Sequence, residues 1–421
     1  MRLLEEMVHM DDKPAFGDEL SRPRWPYSDA LITAESRGLR FGGKYADVVA
    51  LSTGDPAALR PYIDDETRRR VAAMPSTRKP NALVFGANGF VGAHLVGRLS
   101  RDPSIDVVRA VVRPQGDESA YDRLQRTLAH YEIDVDIAKL RIVEGTPTQR
   151  RFGLSSARYR ELAEEIGQVF NCASSTDYTD TYLELRNDWF LGLLRMLEFS
   201  ITSCRKHVTY VGSIGSHLYQ KPDDFRRDDS WWYSGYAQMK WVNATLLGWL
   251  ARSDTYSITL CEAPYILGST DRGLDPGRVY TFWRIIELAL AVGAIWDGPG
   301  MNYIPVDVMC EVLTTNALQE HPQPRLLPSN PHGYGHDLYA ELLGLELVTW
   351  DQFVDRVSSR ISPKFADTML SDNIDKLMRL VHKSEVIFPP GYDTSWCDNR
   401  RLFKLYFEKA QLKTAAPLAL V

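Results

Sequence analysis

Short apolar runs alternate with amphipathic patterns through the middle of the chain. The apolar runs predict buried strands at Ala82–Phe85, Val107–Val112, Leu140–Val143, Gln168–Phe170, Val208–Val211 and Ile258–Leu260. Between them, hydrophobic residues recur at helical spacing at Phe90–Leu99, Tyr121–His130, Ala157–Ile166, Trp189–Ile201 and Tyr236–Arg252. Strands that alternate with helices predict an α/β fold with a doubly wound parallel sheet.

The two ends of the chain have different patterns. Residues 1–78 carry one short polar helix and end in a proline-bounded linker, so we expect an arm or linker, with a docking element as the alternative. After about Gly268 the alternation stops. Helical patterns then follow at Val279–Val292, Asp337–Leu343, Trp350–Val357 and Asn373–Val381. We therefore predict an α/β domain at 79–268 and a smaller, mostly helical C-terminal lobe at 269–421, which covers the carboxyl ends of the strands.

Composition and charge exclude several classes of protein. Hydrophobic residues make up 44% of the 421 residues and charged residues 25%, which is ordinary for a globular protein. The net charge of −6 gives no general attraction to nucleic acid or to membrane surfaces. The most apolar stretch, Ile285–Trp296, is too short to cross a bilayer, so no membrane partner is expected.

The cysteines and histidines predict neither disulfides nor a metal site. The five cysteines are scattered and odd in number, which is typical of reduced thiols in a cytoplasmic protein. His332 and His336 are four residues apart, but they lie in a stretch rich in proline and glycine rather than on a predicted helix. The sequence also contains neither a G-x-S-x-G elbow nor a Walker A lysine.

A glycine-rich loop directly follows the first predicted strand and opens a helix. Its spacing is G-x-x-G-x-x-G, and such glycines let backbone N–H groups approach a pyrophosphate at the positive end of a helix. After the first strand of an α/β series this pattern predicts a Rossmann dinucleotide-binding domain. The candidate cofactor-binding residues of the loop are Gly86, Asn88, Gly89, Phe90, Val91 and Gly92.

The residue after the second strand bears on the choice of cofactor. NAD-binding folds place an acidic residue near this point to hold the ribose hydroxyls, whereas a basic residue suits the extra phosphate of NADP. In this chain Arg113 is the residue that follows the second strand, and Arg123 on the following helix is a second basic candidate. The nearest acidic residue after the strand is Asp117. The sequence therefore favours NADPH, although both arginines could simply be surface residues.

A second group of polar residues has the spacing of a reductase site. Tyr236 and Lys240 form a Y-x-x-x-K pair, which shares one face of a helix. We expect the ammonium to lower the pKa of the phenol, which could then give a proton to a carbonyl oxygen that receives a hydride. Ser213 ends a predicted strand and could reach the same oxygen, and Asn187 could order a water that relays protons.

These motifs resemble the extended short-chain dehydrogenase/reductases. Within that superfamily the chain is similar to the thioester reductase domains that terminate nonribosomal peptide and polyketide synthetases, and to those of carboxylic acid reductases and aminoadipate reductase. The matching positions are Gly86–Gly92, Arg113, Val169–Ala173, Tyr182, Asn187, Gly192, Tyr210–Ser213, Gly235–Trp241, Ile266–Gly268 and Ile304–Asp307. The resemblance adds Ala173 to the cofactor-binding candidates.

The chain departs from this family at four positions. Asn88 and Ser213 stand where the family usually has threonine, and both keep a hydrogen-bonding side chain. Thr146 replaces an aspartate that helps to hold the adenine. Glu262 stands where arginine is common, and the sequence offers no partner that explains the reversed charge.

The resemblance implies NADPH-dependent reduction of an acyl thioester on a phosphopantetheine arm to an aldehyde, and a second reduction would give an alcohol. Ser213, Tyr236 and Lys240 would be the catalytic residues. An acyl or peptidyl carrier protein would deliver the thioester in trans. Arg151, Arg158 and Arg160 are weak candidates for its docking site, and Trp231–Tyr233 could line the substrate channel or belong to the core.

Three alternative functions remain open from the sequence. A nucleotide-sugar epimerase or dehydratase of the same superfamily is disfavoured by Arg113 and by the helical lobe. A redox-inert cyclase related to these reductases is disfavoured by the complete set of catalytic residues. A cofactor-sensing binding protein is disfavoured because such proteins usually lose the tyrosine.

Overall fold

A computed structural model describes residues 65–75, 80–175, 185–215, 235–251, 255–277, 281–360 and 386–410. Its strands are β1 (Asn81–Phe85), β2 (Val107–Val112), β3 (Leu140–Glu144), β4 (Gln168–Asn171), β5 (His207–Val211), β6 (Ser257–Cys261), β7 (Tyr265–Leu267), β8 (Ala294–Trp296), β9 (Tyr303–Pro305), β10 (Arg325–Leu326) and β11 (Glu346–Val348).

The α-helices of the described residues are α1 (Asp65–Ala72), α2 (Phe90–Arg101), α3 (Ala120–His130), α4 (Ser156–Glu165), α5 (Leu191–Ser200), α6 (Gly235–Leu250), α7 (Thr281–Val292), α8 (Val306–Leu318), α9 (His336–Leu343), α10 (Trp350–Arg360) and α11 (Asn399–Lys409). A turn of π-helix, Arg186–Phe190, leads into α5.

The main sheet has seven parallel strands in the order β10-β6-β5-β4-β1-β2-β3. The chain winds outward from β1 in one direction through β2 and β3, and in the other through β4, β5 and β6. The strand order therefore reverses between β1 and β4, and open α/β sheets bind ligands in the crevice at such a point. The predicted doubly wound parallel sheet is confirmed.

Burial on both faces explains why the central strands are almost wholly apolar. On β1, Leu83 and Phe85 pack into one hydrophobic cluster with α5 and α6, while Ala82 and Val84 pack into a second with α2, α3 and α8. All four side chains are fully buried. A strand covered by helices on both sides shows a continuous apolar run rather than an alternating one, which is the pattern that identified it.

The C-terminal part has its own hydrophobic cluster, formed largely by α7, α9, α10 and α11 around Trp296, Tyr303 and Tyr339. The predicted helical lobe is therefore present, with two small parallel strand pairs, β7–β9 and β8–β11. The expectation that the alternation stops at Gly268 needs a correction. After α8 the chain returns to the main sheet as β10, whose two residues form no apolar run that the sequence could reveal.

The loop at 268–277 joins the sheet to the helical lobe. The hydroxyl of Tyr406 on α11 donates a hydrogen bond of 2.8 Å to the carbonyl of Gly268. The carboxylate of Asp307, at the start of α8, accepts two bonds of 3.1 Å from the backbone N–H of Thr270. These contacts connect the loop both to α8 and to α11.

Several sequence predictions fall on positions that the structure does not describe. Tyr182, Trp231–Tyr233 and Asn373–Val381 lie outside the described residues, as does most of the arm at 1–78. The described end of the arm, helix α1, buries Val71 in the core beside α4. None of the helices in the described part of the chain combines the length and apolar character that a membrane span requires.

Candidate active site

The glycine loop connects β1 to α2 at the point where the strand order reverses. The backbone N–H of Gly89 donates to the carbonyl of Gly86 at 2.9 Å, which closes the turn. Gly86 has a φ of +74°, a conformation that glycine adopts without steric cost. A Cβ on Gly92 would lie 2.0 Å from the Gly86 oxygen, so α2 can pack this closely only with glycine there.

The loop also approaches the turn after β4 too closely for any side chain. A Cβ on Gly86 would lie 2.7 Å from the backbone nitrogen of Ala173. The side-chain oxygen of Asn171 accepts a hydrogen bond of 2.9 Å from the same nitrogen, and this bond holds the turn in place. Ala173, a cofactor-binding candidate from the resemblance, therefore lies beside the glycine loop.

The N-terminus of α2 can receive a pyrophosphate. Gly89, which has no side chain to cap the helix, is its N-cap, and the first turn contains no acidic residue. Backbone N–H groups at the positive end of a helix can bind an anion. Together with the close approach of three backbone segments, this fits a dinucleotide held by Gly86–Gly92 and Ala173. Asn88 belongs to the same loop, and its carbonyl accepts a bond from Thr127 on α3.

Arg113 and Arg123 come together at the end of β2. Arg113 is the first residue beyond the strand, and its side chain is exposed. The guanidinium of Arg123, on α3, donates a hydrogen bond to the carbonyl oxygen of Arg113. The two candidate phosphate ligands thus lie at one corner of the crevice.

Ser213, Tyr236 and Lys240 converge at the carboxyl end of the sheet. The hydroxyl of Ser213, two residues beyond β5, is hydrogen-bonded to that of Tyr236 on α6. The Lys240 ammonium lies 5.7 Å from the centre of the Tyr236 ring and donates a bond of 3.4 Å to the carbonyl of Val211. The i, i+4 spacing therefore places both side chains on the helix face that packs against β5.

The pKa of Tyr236 differs from the sequence expectation. Burial raises it to about 12, and the hydrogen bond with Ser213 offsets only part of this effect. The prediction that Lys240 lowers the pKa of the phenol towards neutrality is wrong for this structure, because removal of the phenolate from water dominates. A phenol with this pKa is protonated at neutral pH and can therefore serve as a proton donor.

Lys240 occupies an apolar place for a charged group. Only 4% of the residue is exposed, and its ammonium also lies 5.6 Å from the centre of the Tyr210 ring. Burial lowers the pKa of Lys240 to about 8. Burial also raises the pKa of the nearby Cys172 thiol to about 12. The lysine remains mostly charged at neutral pH, and its neighbours are aromatic rings and a neutral thiol.

Glu262 has a partner that its position in the sequence does not reveal. Its carboxylate is fully buried and accepts a hydrogen bond of 2.8 Å from Nε of Arg325 on β10. Glu262 carries a negative charge where the family commonly has arginine, and Arg325 on the neighbouring strand neutralises that charge. Thr146 follows β3, and its hydroxyl bonds that of Thr148 at 3.0 Å, so this side chain stabilises the local turn.

The remaining candidates are less closely connected to this site. Asn187 lies in the π-helical turn before α5, and its side chain is outside the described residues. Arg158 pairs with Glu161 at 3.0 Å on the exposed face of α4, as expected for a solvated helix, and Arg160 is also exposed. Arg151 has a φ of +53° in the turn at Arg150–Gly153.

Three residues near the crevice were missed by the sequence reasoning. The side chain of Asn171 holds the turn at Ala173 in place through a hydrogen bond. The feature of the sequence that could have identified it is a polar residue at the end of a buried strand. In the sequence, Asp117 is the nearest acid after the second strand. The acid whose carboxylate lies close to Arg123 is the next residue, Glu118. Tyr265 lies close enough to Tyr236 for the phenolate of one to raise the pKa of the other, and no pattern in the sequence marks it.

The site supplies two hydroxyl groups and a buried cation. Within the described ranges, no group of three histidine, cysteine, aspartate or glutamate side chains could hold a metal ion. All five cysteines are free thiols. The arrangement can hydrogen-bond a carbonyl oxygen through two hydroxyls and protonate it beside a dinucleotide crevice.

A family model matches more than half of the chain. It is the NAD-binding model described as "Male sterility protein", and it covers residues 84–313. This range includes the glycine loop, the corner at Arg113 and all three of Ser213, Tyr236 and Lys240.

Similar proteins include multidomain synthetases and reductases. A linear gramicidin synthase polypeptide of Brevibacillus parabrevis is 25% identical over 80% of this chain and 7% of its own length. Aldehyde reductase lnbA of Aspergillus flavus is 26% identical over 66% of this chain and 30% of its own. The L-2-aminoadipate reductase large subunit of Penicillium chrysogenum is 25% identical over 60% and 19%. The chain spans less than a third of the length of each of these relatives.

Solved structures share the fold. The terminal R domain of the myxalamid PKS-NRPS pathway has a TM-score of 0.65 at 18% identity, covering 87% of this chain and 96% of that domain. The reductase domain of a nonribosomal peptide synthetase from Mycobacterium tuberculosis has a TM-score of 0.61 at 19% identity, covering 84% and 97%. An archaeal thiolation-reductase di-domain has a TM-score of 0.60 at 14% identity, covering 98% of both chains.

Proposed function

Because this chain belongs to the male sterility protein family of NAD-binding domains, we propose that it is an NADPH-dependent thioester reductase. Its substrate would be an acyl group on the phosphopantetheine arm of a carrier protein, and its product an aldehyde. The observation that carries this proposal is the hydrogen-bonded pair of Ser213 and Tyr236 next to buried Lys240, at the edge of a dinucleotide crevice. The reductases and synthetases among its relatives support the same reaction class.

Two hydroxyl groups would act on the thioester carbonyl. A bound NADPH would supply the hydride to the carbonyl carbon. Ser213 and Tyr236 would donate hydrogen bonds to the carbonyl oxygen as negative charge develops there. Tyr236 would then give its proton to that oxygen, which is consistent with a phenol that burial keeps protonated. Breakage of the C–S bond in the resulting hemithioacetal releases the aldehyde and the free thiol, and a second hydride and proton would give the alcohol.

Lys240 would act on both the cofactor and the tyrosine. Its ammonium is fixed by the Val211 carbonyl and by two aromatic rings, so it has a defined position before any ligand binds. From there it would bind the nicotinamide ribose. Its charge would also favour the phenolate that forms when Tyr236 has given up its proton.

Arg113 and Arg123 are the proposed ligands of the NADP phosphate. If Arg113 binds that phosphate, Arg113→Ala should weaken NADPH binding by about tenfold to a hundredfold, the effect of one charge-assisted hydrogen bond. NADH affinity should change less than about twofold, because NADH has no phosphate for the arginine to bind. Titration of cofactor fluorescence with the purified variant measures both dissociation constants.

Arg356→Ala is the matched control for this experiment. It removes an arginine that pairs with Glu346 at 2.7 Å in the C-terminal lobe, and it should leave both affinities unchanged. An equal loss of NADPH and NADH binding in Arg113→Ala would mean that Arg113 supports the fold of the crevice and does not recognise the phosphate.

A carrier protein is the proposed thioester donor. Contacts between the carrier and this chain lie far from the reacting carbon, and such binding energy can orient the thioester. With one acyl group on three donors, kcat/KM should be at least about tenfold higher for the carrier protein than for CoA or a short pantetheine mimic, a difference that corresponds to about 1.4 kcal/mol. Steady-state NADPH oxidation with matched acyl groups gives the three values.

The separate values of kcat and KM show whether the carrier protein acts on the orientation of the thioester, on its binding, or on both. A carrier that contributes to orientation should raise kcat as well as lower KM. If CoA or the mimic served as well as the carrier, the chain would be a reductase of small acyl thioesters, and the carrier partnership would be wrong while the reaction class would stand.

A further inference from the structure

A tight turn returns the chain to the cofactor corner just after β2. Gln115 and Glu118 exchange two backbone hydrogen bonds, each of 3.1 Å, so four residues reverse the direction of the chain. Gly116 has a φ of +58°, which this reversal requires and which glycine adopts without strain. As a result, the acid at the end of the turn faces back towards the start of α3.

Glu118 lies between two arginines of that helix. Its two carboxylate oxygens accept hydrogen bonds from Nε and Nη2 of Arg126, each of 2.9 Å. Nε of Arg123 lies 4.0 Å from the same carboxylate. The bidentate bond to Arg126 is the stronger geometry, so Arg126 is the principal counter-ion of Glu118 and Arg123 is the secondary one.

Arg123 is held in place from several directions. Its side chain is only 13% exposed, whereas that of Arg126 is 67% exposed. Its guanidinium donates to the carbonyl of Arg113, and one turn further along α3 the Thr127 hydroxyl donates to the carbonyl of Asn88 at 3.2 Å. Arg123 is therefore fixed relative to both the end of β2 and the glycine loop, whereas the side chain of Arg126 is paired with Glu118 but mostly exposed.

We propose that Glu118 is a specificity-determining residue, whose carboxylate competes with the ribose phosphate of NADPH for Arg123 while Arg126 limits that competition. This inference rests on the proposed use of NADPH. A carboxylate at 4.0 Å from Arg123 would repel a phosphate bound to the same guanidinium. The bidentate pair with Arg126 neutralises that carboxylate and leaves Arg123 available to the phosphate.

The proposal gives opposite signs to two neighbouring substitutions. Glu118→Gln removes the competing charge, so the NADPH dissociation constant should fall about fivefold, the effect of one charge pair near a protein surface. Arg126→Ala leaves Glu118 without its main counter-ion, so NADPH binding should weaken by a similar factor. NADH affinity should stay within about twofold in both variants.

The double variant separates a direct role of Arg126 from the indirect one. In the Glu118→Gln background there is no charge for Arg126 to neutralise, so adding Arg126→Ala should have no effect on NADPH affinity. The experiment is a fluorescence titration of NADPH and NADH with the parent, both single variants and the double variant. Thermal unfolding of each variant without cofactor checks the fold. Glu346→Gln, which unpairs Arg356 in the C-terminal lobe, is the control for a change in net charge.

Three outcomes would overturn the proposal. Equal weakening by Arg126→Ala in both backgrounds would show that Arg126 binds the phosphate itself. Weaker NADH binding in Glu118→Gln would show that Glu118 holds the ribose hydroxyls. An unchanged ratio of the two affinities in Glu118→Gln would show that the acid has no part in recognition. A parent that prefers NADH would instead overturn the proposed use of NADPH, so the two failures are distinguishable.

Discussion

Replacement of Tyr236 by phenylalanine should lower kcat by about 10²–10⁴-fold while the dissociation constant of NADPH changes little. The residue is 8% exposed and belongs to the hydrophobic cluster that also contains side chains of α5, so phenylalanine can take its place without a change in packing. Only the hydroxyl is lost, and with it the hydrogen bond to Ser213 and the proposed proton donor. Single-turnover reduction of a bound thioester, together with NADPH titration, measures both quantities.

Tyr210→Phe is the control for this prediction. Tyr210 is buried next to Lys240, and its hydroxyl accepts a hydrogen bond of 2.9 Å from Nδ2 of Asn243. Loss of that hydroxyl removes a structural hydrogen bond, so we expect lower stability and a chemical step within a few-fold of the parent. If Tyr236→Phe consumed NADPH at nearly the parent rate, another group would have to protonate the oxygen and the assignment would be wrong.

Gly92→Ala should have the second-largest effect, on cofactor binding. The new Cβ would lie 2.0 Å from the carbonyl oxygen and 2.7 Å from the carbonyl carbon of Gly86, and backbone atoms cannot yield as the end of a flexible side chain can. The N-terminus of α2 must therefore move away from the loop that cradles the pyrophosphate. Overpacking of this kind costs about 1–3 kcal/mol of folding stability. If the displaced loop loses contacts of similar size with the pyrophosphate, NADPH binding should weaken by up to about a hundredfold.

The matched control is the same substitution elsewhere on a helix. A Cβ on Gly248, on α6, would meet no atom of the described residues within 4 Å, apart from its two chain neighbours and the backbone of its own helix. Because alanine is the better helix former, Gly248→Ala should keep NADPH affinity and raise stability by up to about 1 kcal/mol. NADPH binding of parent strength in folded Gly92→Ala would show that the close approach of the loop and helix is not needed for the cofactor.

The sequence predicted the six longest strands, β1–β6, because most of their residues are buried. The six apolar runs lie within β1–β6, and β2 has the predicted bounds. The glycine loop was recognisable because its residues are fixed by backbone contacts between close neighbours, such as Gly86 and Gly92. The short strands β7–β11 were missed because two or three residues leave no periodicity to detect, and β10, Arg325–Leu326, is the one among them that joins the main sheet.

The electrostatics of the site were less predictable, because burial and distant partners determine them. The pKa of Tyr236 rises to about 12, contrary to expectation, because its environment is apolar. The partner of Glu262 is Arg325, which lies on a strand that the sequence did not reveal. The backbone hydrogen bonds of the turn after β2 place Glu118 within hydrogen-bonding distance of Arg126. Because this contact depends on the fold of the turn, the sequence alone did not reveal it.

The most direct test of the proposed function follows the hydride itself. The enzyme is incubated with NADPH carrying deuterium at the transferred position and with an acyl group on a carrier protein, and the products are examined by mass spectrometry with thiol titration. When the product is the aldehyde, hydride transfer to the thioester carbonyl predicts one deuterium on the former carbonyl carbon and one free thiol for each NADPH oxidised to NADP⁺. No deuterium in the acyl product, combined with turnover of a nucleotide sugar by the same preparation, would contradict the proposed reaction.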